Sequence, residues 1–224
     1  MISGQLKQCL LDRATNNETS FFRDPKVFAA ITKHILPNLA TGRSALPLRI
    51  WSAASSFGQE PYTLAMTCRE LQATLPTLKA EIVATDISER ALKRAAAGLY
   101  SQLEVQRGLP AKYMVKYFDK TADDHWQIKS TLRDLVRFQP QNLLHPLDRL
   151  GVFDLILCRN VLIYQSVENK KEILTRLARC LAPQGYLILG AGESLLGLTD
   201  KFRQSQFESV YFYQLALEAQ KQAA

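Results

Sequence analysis

Two short stretches hold residue types suited to holding a ligand. In an open α/β sheet, ligands bind beyond the carboxyl ends of the strands where strand order reverses, so the loops SAASSFGQE, from Ser52, and TDIS, from Thr85, matter most. Small residues from Ser52 to Ser56, with Gly58, let backbone amides approach a bound group closely. The chain has no GxGxxG, which argues against the pyrophosphate of a dinucleotide; a nucleoside without phosphates needs no such cradle. Asp86 ends a strand, where an acid accepts hydrogen bonds from both ribose hydroxyls; its other reading is a cap for the helix that begins near Ser88. His34, His125 and His145 are scattered without metal-ligand spacing, so no metal is expected. Cys9, Cys68, Cys158 and Cys180 form no CxxC pair, so neither a zinc knuckle nor a disulfide framework is suggested.

The elements that must position these residues follow a strand and helix rhythm. Asp24 and Pro25 read as an N-cap and first turn, and Val27, Phe28, Ile31, Ile35 and Leu36 recur at helical spacing until Pro37. LRIWSAA, 48–54, is a buried parallel strand, followed by a helix from about Glu60 through Leu71. EIVATD and SERALKRAAAG repeat the pair, the helix ending on Gly98. FDLILCRNVLIY, a helix through VENKKEILTRLARCL and the strand YLILG complete a doubly wound, mostly parallel α/β sheet. Between about 112 and 138, WQIKSTL and DLVRF alternate in polarity and predict a small antiparallel hairpin inserted into the main domain. FESVYFYQL, 207–215, supplies an antiparallel edge strand or final hairpin.

Composition sets the class. With 224 residues and 47% apolar content the chain can bury one sizeable core. The start MISGQLKQCLLDRATNN lacks the pattern of a signal peptide, and no later apolar run is long enough to cross a bilayer, so a cytoplasmic, non-inserted protein is expected. A formal charge of +7 suits an acidic partner: nucleic acid, a membrane surface or an acidic protein. Charge does not choose among them.

The strings TNNETSFFRD, RIWSAASSFGQEPYTLAM, IVATDIS, NLL, FDLILCRNVLIY and APQGYLILGAGESL resemble the catalytic domain of the CheR-type chemoreceptor methyltransferases, in that family's order, from about Thr15 to Phe212. The resemblance implies the class I S-adenosylmethionine methyltransferase fold over 15–217, with a tail at 218–224. It implies methyl transfer from S-adenosylmethionine to glutamate carboxylates on the cytoplasmic domain of a chemoreceptor, a methyl-accepting chemotaxis protein, with S-adenosylhomocysteine as product. No nucleic-acid partner is expected, and a monomer is. Asn17, Thr19 and Arg23 would approach the methionyl end of the cofactor, Glu60 and Asp86 would hold its other polar groups, and Asn142, Leu143, Cys158 and Arg159 would complete the pocket. Arg23, Arg159 and Tyr164 would line the active site, since an arginine's planar fork suits a carboxylate. Each has a plainer reading: Thr19 caps a helix, Asn142 closes a turn, Leu143 is core, Cys158 is an inert buried thiol, Glu60 favours a helix N-terminus, Arg159 pairs with a structural acid and Tyr164 is an aromatic wall.

The sequence departs from the family pattern in three places. Only about 14 residues precede TNNET, so the family's helical N-terminal domain is expected to be absent and docking by the usual route is in doubt; residues 1–14 retain at most one helix, with Ile2, Leu6, Leu10 and Leu11 near one face. The loop DKTADDHW is short and has no glycine, so binding is not expected to depend on a receptor tail gripped by strand addition. Gln59 stands where the family usually has an acid. The alternatives are a nucleic-acid methyltransferase on the same fold and a non-enzymatic, cofactor-binding regulator. Against the first, RNVLIY stands where an amine methyltransferase shows Asp/Asn-Pro-Pro-aromatic.

Overall fold

In the computed structural model residues 17–41 and 46–216 are described, so the expected helix within 1–14 and the tail at 218–224 lie outside the described residues. The chain enters through α1, Pro25–Ala30, a π-helical turn at Ile31–Ile35 and α2, Leu36–Ala40. The helix thus runs past Pro37 rather than ending there. A π turn just before the proline accommodates its missing N–H and its ring, which in a regular α-helix would clash with the carbonyl one turn earlier.

The main sheet is built from β1 (Leu48–Ala53), β2 (Ala80–Asp86), β6 (Val136–Pro140), β7 (Phe153–Cys158), β8 (Leu181–Leu189), β9 (Phe202–Phe207) and β10 (Val210–Leu215). Its order is β6-β2-β1-β7-β8-β10-β9, parallel through β8, with β10 antiparallel to both neighbours. The chain winds outward from β1 to β6 and returns to β7 on the other side of β1, so the switch point lies between β1 and β7. Successive residues feed opposite cores: Ile50, Ile82 and Leu155 face one cluster, and Trp51, Val83 and Ile156 the other. Burial on both faces is why these strands read as continuous apolar runs. Helix α3 (Gln59–Leu71) follows β1. Helix α4 (Glu89–Ala97) follows β2, with the Ser88 side chain accepting from the Ala91 N–H and Gly98 closing it at φ 64. Helix α8 (Val167–Cys180) links β7 to β8.

The small antiparallel insertion is present, with WQI as one strand, but its make-up differs from the expectation. Its three-stranded antiparallel sheet joins β3 (Leu99–Tyr100), β4 (Phe118–Lys120) and β5 (Trp126–Ile128), with α5 (Gln102–Gln106) and α6 (Ala111–Tyr117) between the first two, and α7 (Ser130–Arg133) follows it. The run DLVRF does not return as a hairpin arm. It leads into β6, which pairs in parallel with β2 from Ile82↔Val136 to Asp86↔Pro140. Its alternation has another cause: β6 is the sheet's edge strand, where only some side chains meet the core. Among the described residues no helix is long and apolar enough to cross a membrane.

Candidate active site

Beyond the carboxyl ends of β1, β2, β6 and β7 lies a cavity of about 540 Å³, within the range of small-molecule and cofactor sites. Nine expected site residues line it together: Asn17, Thr19, Arg23, Glu60, Asp86, Asn142, Leu143, Arg159 and Tyr164. Cys158 does not. Its side chain is fully buried in the Trp51 cluster, and burial, with the charges of Glu193 and Glu60, holds the thiol well above its ordinary range. The residue one step before Arg159 thus faces the core rather than the cavity.

The segment carrying Asn17 to Arg23 is fastened across the sheet's end. Ser56 Oγ donates to the Asn17 carbonyl at 3.0 Å and the Phe22 N–H to Thr63 Oγ1 at 3.2 Å. Phe21 packs edge-on against Tyr100 and Phe118, and Phe22 stacks on Tyr113, so both rings serve packing. Arg23 donates to the Glu18 carbonyl at 3.0 Å.

Three amides of the loop after β1 are engaged within the protein. The N–H groups of Ser55, Ser56 and Gly58 donate to Thr85 O, Asp86 Oδ2 and Ser55 O at 2.8, 2.8 and 3.0 Å. Close approach to a ligand is helped by the smallness of Ala54, Ser55 and Ser56, which line the cavity. Gly58, at φ 91, serves helix packing instead. A Cβ there would lie 2.9 Å from Ala95 Cβ, so glycine lets α3 start against α4. Asp86 is buried, with Oδ2 accepting from Ser56 N and Oδ1 from Ser88 N at 2.9 Å. It helps fix the start of α4 while lining the cavity, so the capping reading and the ligand reading are compatible. Asn142 likewise closes a turn, its Oδ1 accepting from Leu144 N at 2.9 Å, and Leu143 belongs both to the core and to the cavity wall.

The main electrostatic feature is Arg159. Its side chain is 2% exposed and lies between two acids, donating to Glu60 Oε2 at 2.9 Å, to Asp24 Oδ2 and to the Arg23 carbonyl at 3.2 Å. Glu60 Oε1 accepts from Ser52 Oγ at 2.8 Å. A guanidinium so engaged ties the walls of the site together, with its Nε left without a partner among the described residues. Asp24, expected to cap α1, makes no capping bond; at φ 61 its side chain turns to Arg159 instead. Asp-Pro before an apolar helix is the usual capping pattern, so the sequence held no signal for this role, nor for Ser52 and Ser55. Tyr164 ends the 3-10 turn Leu162–Tyr164 and is 62% exposed.

A switch-point cavity with an acid at the end of the second strand and no phosphate cradle defines a doubly wound protein that binds a nucleoside cofactor. Residues 17–211 match the family described as CheR methyltransferase, SAM binding domain. The chain is 43% identical over 212 residues to chemotaxis protein methyltransferase 1 of Vibrio cholerae, covering 94% of this chain and 76% of that protein. It is 44% identical over 206 residues to chemotaxis protein methyltransferase 1 of Pseudomonas aeruginosa, covering 91% and 75%. Among solved structures, a TehB-like SAM-dependent methyltransferase from Corynebacterium glutamicum is similar at TM-score 0.47 and 13% identity, over 85% of this chain and 94% of that one. The chain belongs to the CheR methyltransferase family, whose S-adenosylmethionine-binding domain it contains.

The residues present fit that cofactor. Among the described residues Ser55 Oγ, in the cavity wall, and Arg159 Nε are buried without a hydrogen-bond partner. Buried polar atoms left in that state are costly, and a polar ligand would relieve them.

Proposed function

We propose that this methyltransferase esterifies glutamate side chains on the cytoplasmic domain of a chemoreceptor. The observation that supports this most directly is the gradient along the cavity lining, from buried Asp86 and Arg159 and part-buried Glu60 to Arg23 and the exposed Tyr164. In this reading Asn17, Thr19, Glu60, Asp86, Asn142 and Leu143 hold the cofactor. Arg159 acts through Glu60 and Asp24, and Arg23 and Tyr164 orient the acceptor.

When bound, S-adenosylmethionine supplies a methyl group on a cationic sulfur. A glutamate carboxylate, with an ordinary pKa of about 4.3, arrives ionised, so the protein needs no strong general base. Arg23's planar fork and the Tyr164 hydroxyl donate to the carboxylate and hold one oxygen toward the methyl carbon. Opposite charges cancel as the new bond forms, so a dry pocket does not oppose the reaction. What the chain must contribute is alignment, an effect worth up to about 7–11 kcal/mol.

The test is transfer of label from methyl-labelled cofactor to receptor cytoplasmic fragments, with RNA and DNA in parallel. Label on the receptor that is released by alkali, as a carboxyl ester is, and that disappears when acceptor glutamates become alanine supports the reading. Alkali-stable label, or label in nucleic acid alone, overturns it.

A further inference from the structure

The string GAGESL, 190–195, follows directly on β8, and its Glu193 makes an unusual set of contacts. One carboxylate accepts from four backbone N–H groups: Oε2 from Gly190 at 2.7 Å and Asn160 at 2.8 Å, and Oε1 from Val161 at 3.0 Å and Ile163 at 3.2 Å. Three of these donors belong to the loop that follows Arg159 and ends at Tyr164. Their convergence forms a concave cradle for an anion, and the chain fills it with its own side chain.

The cradle depends on local geometry at two places. Asn160 sits at φ 58, a conformation unfavourable for most side chains, which turns its N–H toward the carboxylate. Gly190 leaves no room for a larger residue: a Cβ there would lie 2.8 Å from Glu193 Oε2 and from Asn160 Nδ2. The carboxylate thus bridges the loop and the end of β8.

Building on the proposed function, we infer that Glu193 is a positioning residue for methyl transfer. It fixes the path from Arg159 to Tyr164 and so sets where the Tyr164 hydroxyl meets the acceptor, without touching acceptor or cofactor itself. Arg159 is held separately by Glu60 and Asp24, so losing the clamp disturbs the acceptor side of the site and spares the cofactor side. Displacement of a reacting group by about 1 Å can cost on the order of 100-fold in rate.

The experiment compares full-length wild type with Glu193→Gln and Glu193→Asp. Gln keeps the size but sets an NH2 against backbone N–H donors; Asp keeps the charge at shorter reach. Expected are a fall of about 10- to 100-fold in kcat for Gln, a smaller fall for Asp, S-adenosylhomocysteine affinity by calorimetry within about threefold of wild type, and faster hydrogen exchange across residues 159–165. Exchange and cofactor affinity show that the variants are folded with the loop released. Wild-type kcat in the Gln variant overturns the inference, as does a fall in cofactor affinity that matches the fall in kcat. Wild-type protein that binds S-adenosylhomocysteine but esterifies no receptor overturns the functional reading, and the positioning role with it.

Discussion

Replacing Arg159 by Met tests whether this guanidinium serves the walls of the site or the incoming acceptor. Met keeps much of the side-chain volume and removes the charge. The side chain is 2% exposed and Glu60 only 14%, so the substitution strands a buried carboxylate, with Ser52 Oγ as its remaining described donor at 2.8 Å. Breaking a buried pair from one side costs about 3–5 kcal/mol. Asp24 is 41% exposed and, being solvated, adds less than about 1 kcal/mol. For a chain of this size each kcal/mol lowers Tm by roughly 2–4 °C, so a fall of about 6–24 °C is expected by circular dichroism. Glu60→Gln added to Arg159→Met should recover a large part of it, because the amide removes the stranded charge. Arg159→Met within about 0.5 kcal/mol of wild type in urea unfolding, with turnover nonetheless abolished, would refute the reasoning and return Arg159 to direct contact with the acceptor.

Two other outcomes follow from the same geometry. Asp86→Asn sets an amide NH2 against the N–H of either Ser56 or Ser88 and loses a charge-assisted acceptor worth about 1.5–3 kcal/mol; S-adenosylhomocysteine affinity by calorimetry should drop about 10- to 100-fold, and a change under twofold would remove Asp86 from the cofactor's partners. Burial, the dominant cause, pushes the Cys68 thiol up to about 12 and the Cys180 thiol up to about 11 from an ordinary 9.0. The folded chain keeps protons that the unfolded chain releases above pH 9, so this contribution to stability is fully present below pH 9 and declines as pH rises toward 11–12. Urea midpoints between pH 7 and 10.5 should hold level and then fall; a midpoint that rises above pH 9 would contradict the burial of these thiols.

The sequence announced the sheet because both of its faces are covered. LRIWSA, EIVATD and FDLILC carry their burial in adjacent apolar residues such as Ile50–Trp51, Ile82–Val83 and Leu155–Leu157, and Ser88 and Gly98 mark the ends of α4 with the residues that cap it. The inserted subdomain was harder to read. DLVRF alternates because it leads into an edge strand, and a period of two records which residues are buried without recording which strand is the partner. The two-residue strand Leu99–Tyr100 was too short to leave any pattern. At the site, residue types were legible through resemblance, whereas the partners were not. That Arg159 meets Asp24 and Glu60, and that Glu193 meets the amides of the loop after Arg159, depends on long-range closure of the sheet's end, and nothing local distinguishes Asp24 from an ordinary cap.

On the proposed reading, these contacts divide the labour around one short loop. The cofactor side is joined through Arg159, which ties the N-terminal segment at Asp24 to the start of α3 at Glu60; the acceptor side is joined through Glu193, which ties the loop after Arg159 to the end of β8. Segments distant in sequence must agree in position for an in-line transfer, and each tie acts between a different pair. If the ties are independent, Arg159→Met should depress cofactor affinity and turnover together, while Glu193→Gln depresses turnover alone. The double variant should then bind S-adenosylhomocysteine no more weakly than Arg159→Met, yet turn over more slowly than either. Weaker cofactor binding in the double variant would mean that the clamp also braces Arg159, and that donor and acceptor are held by one network rather than two.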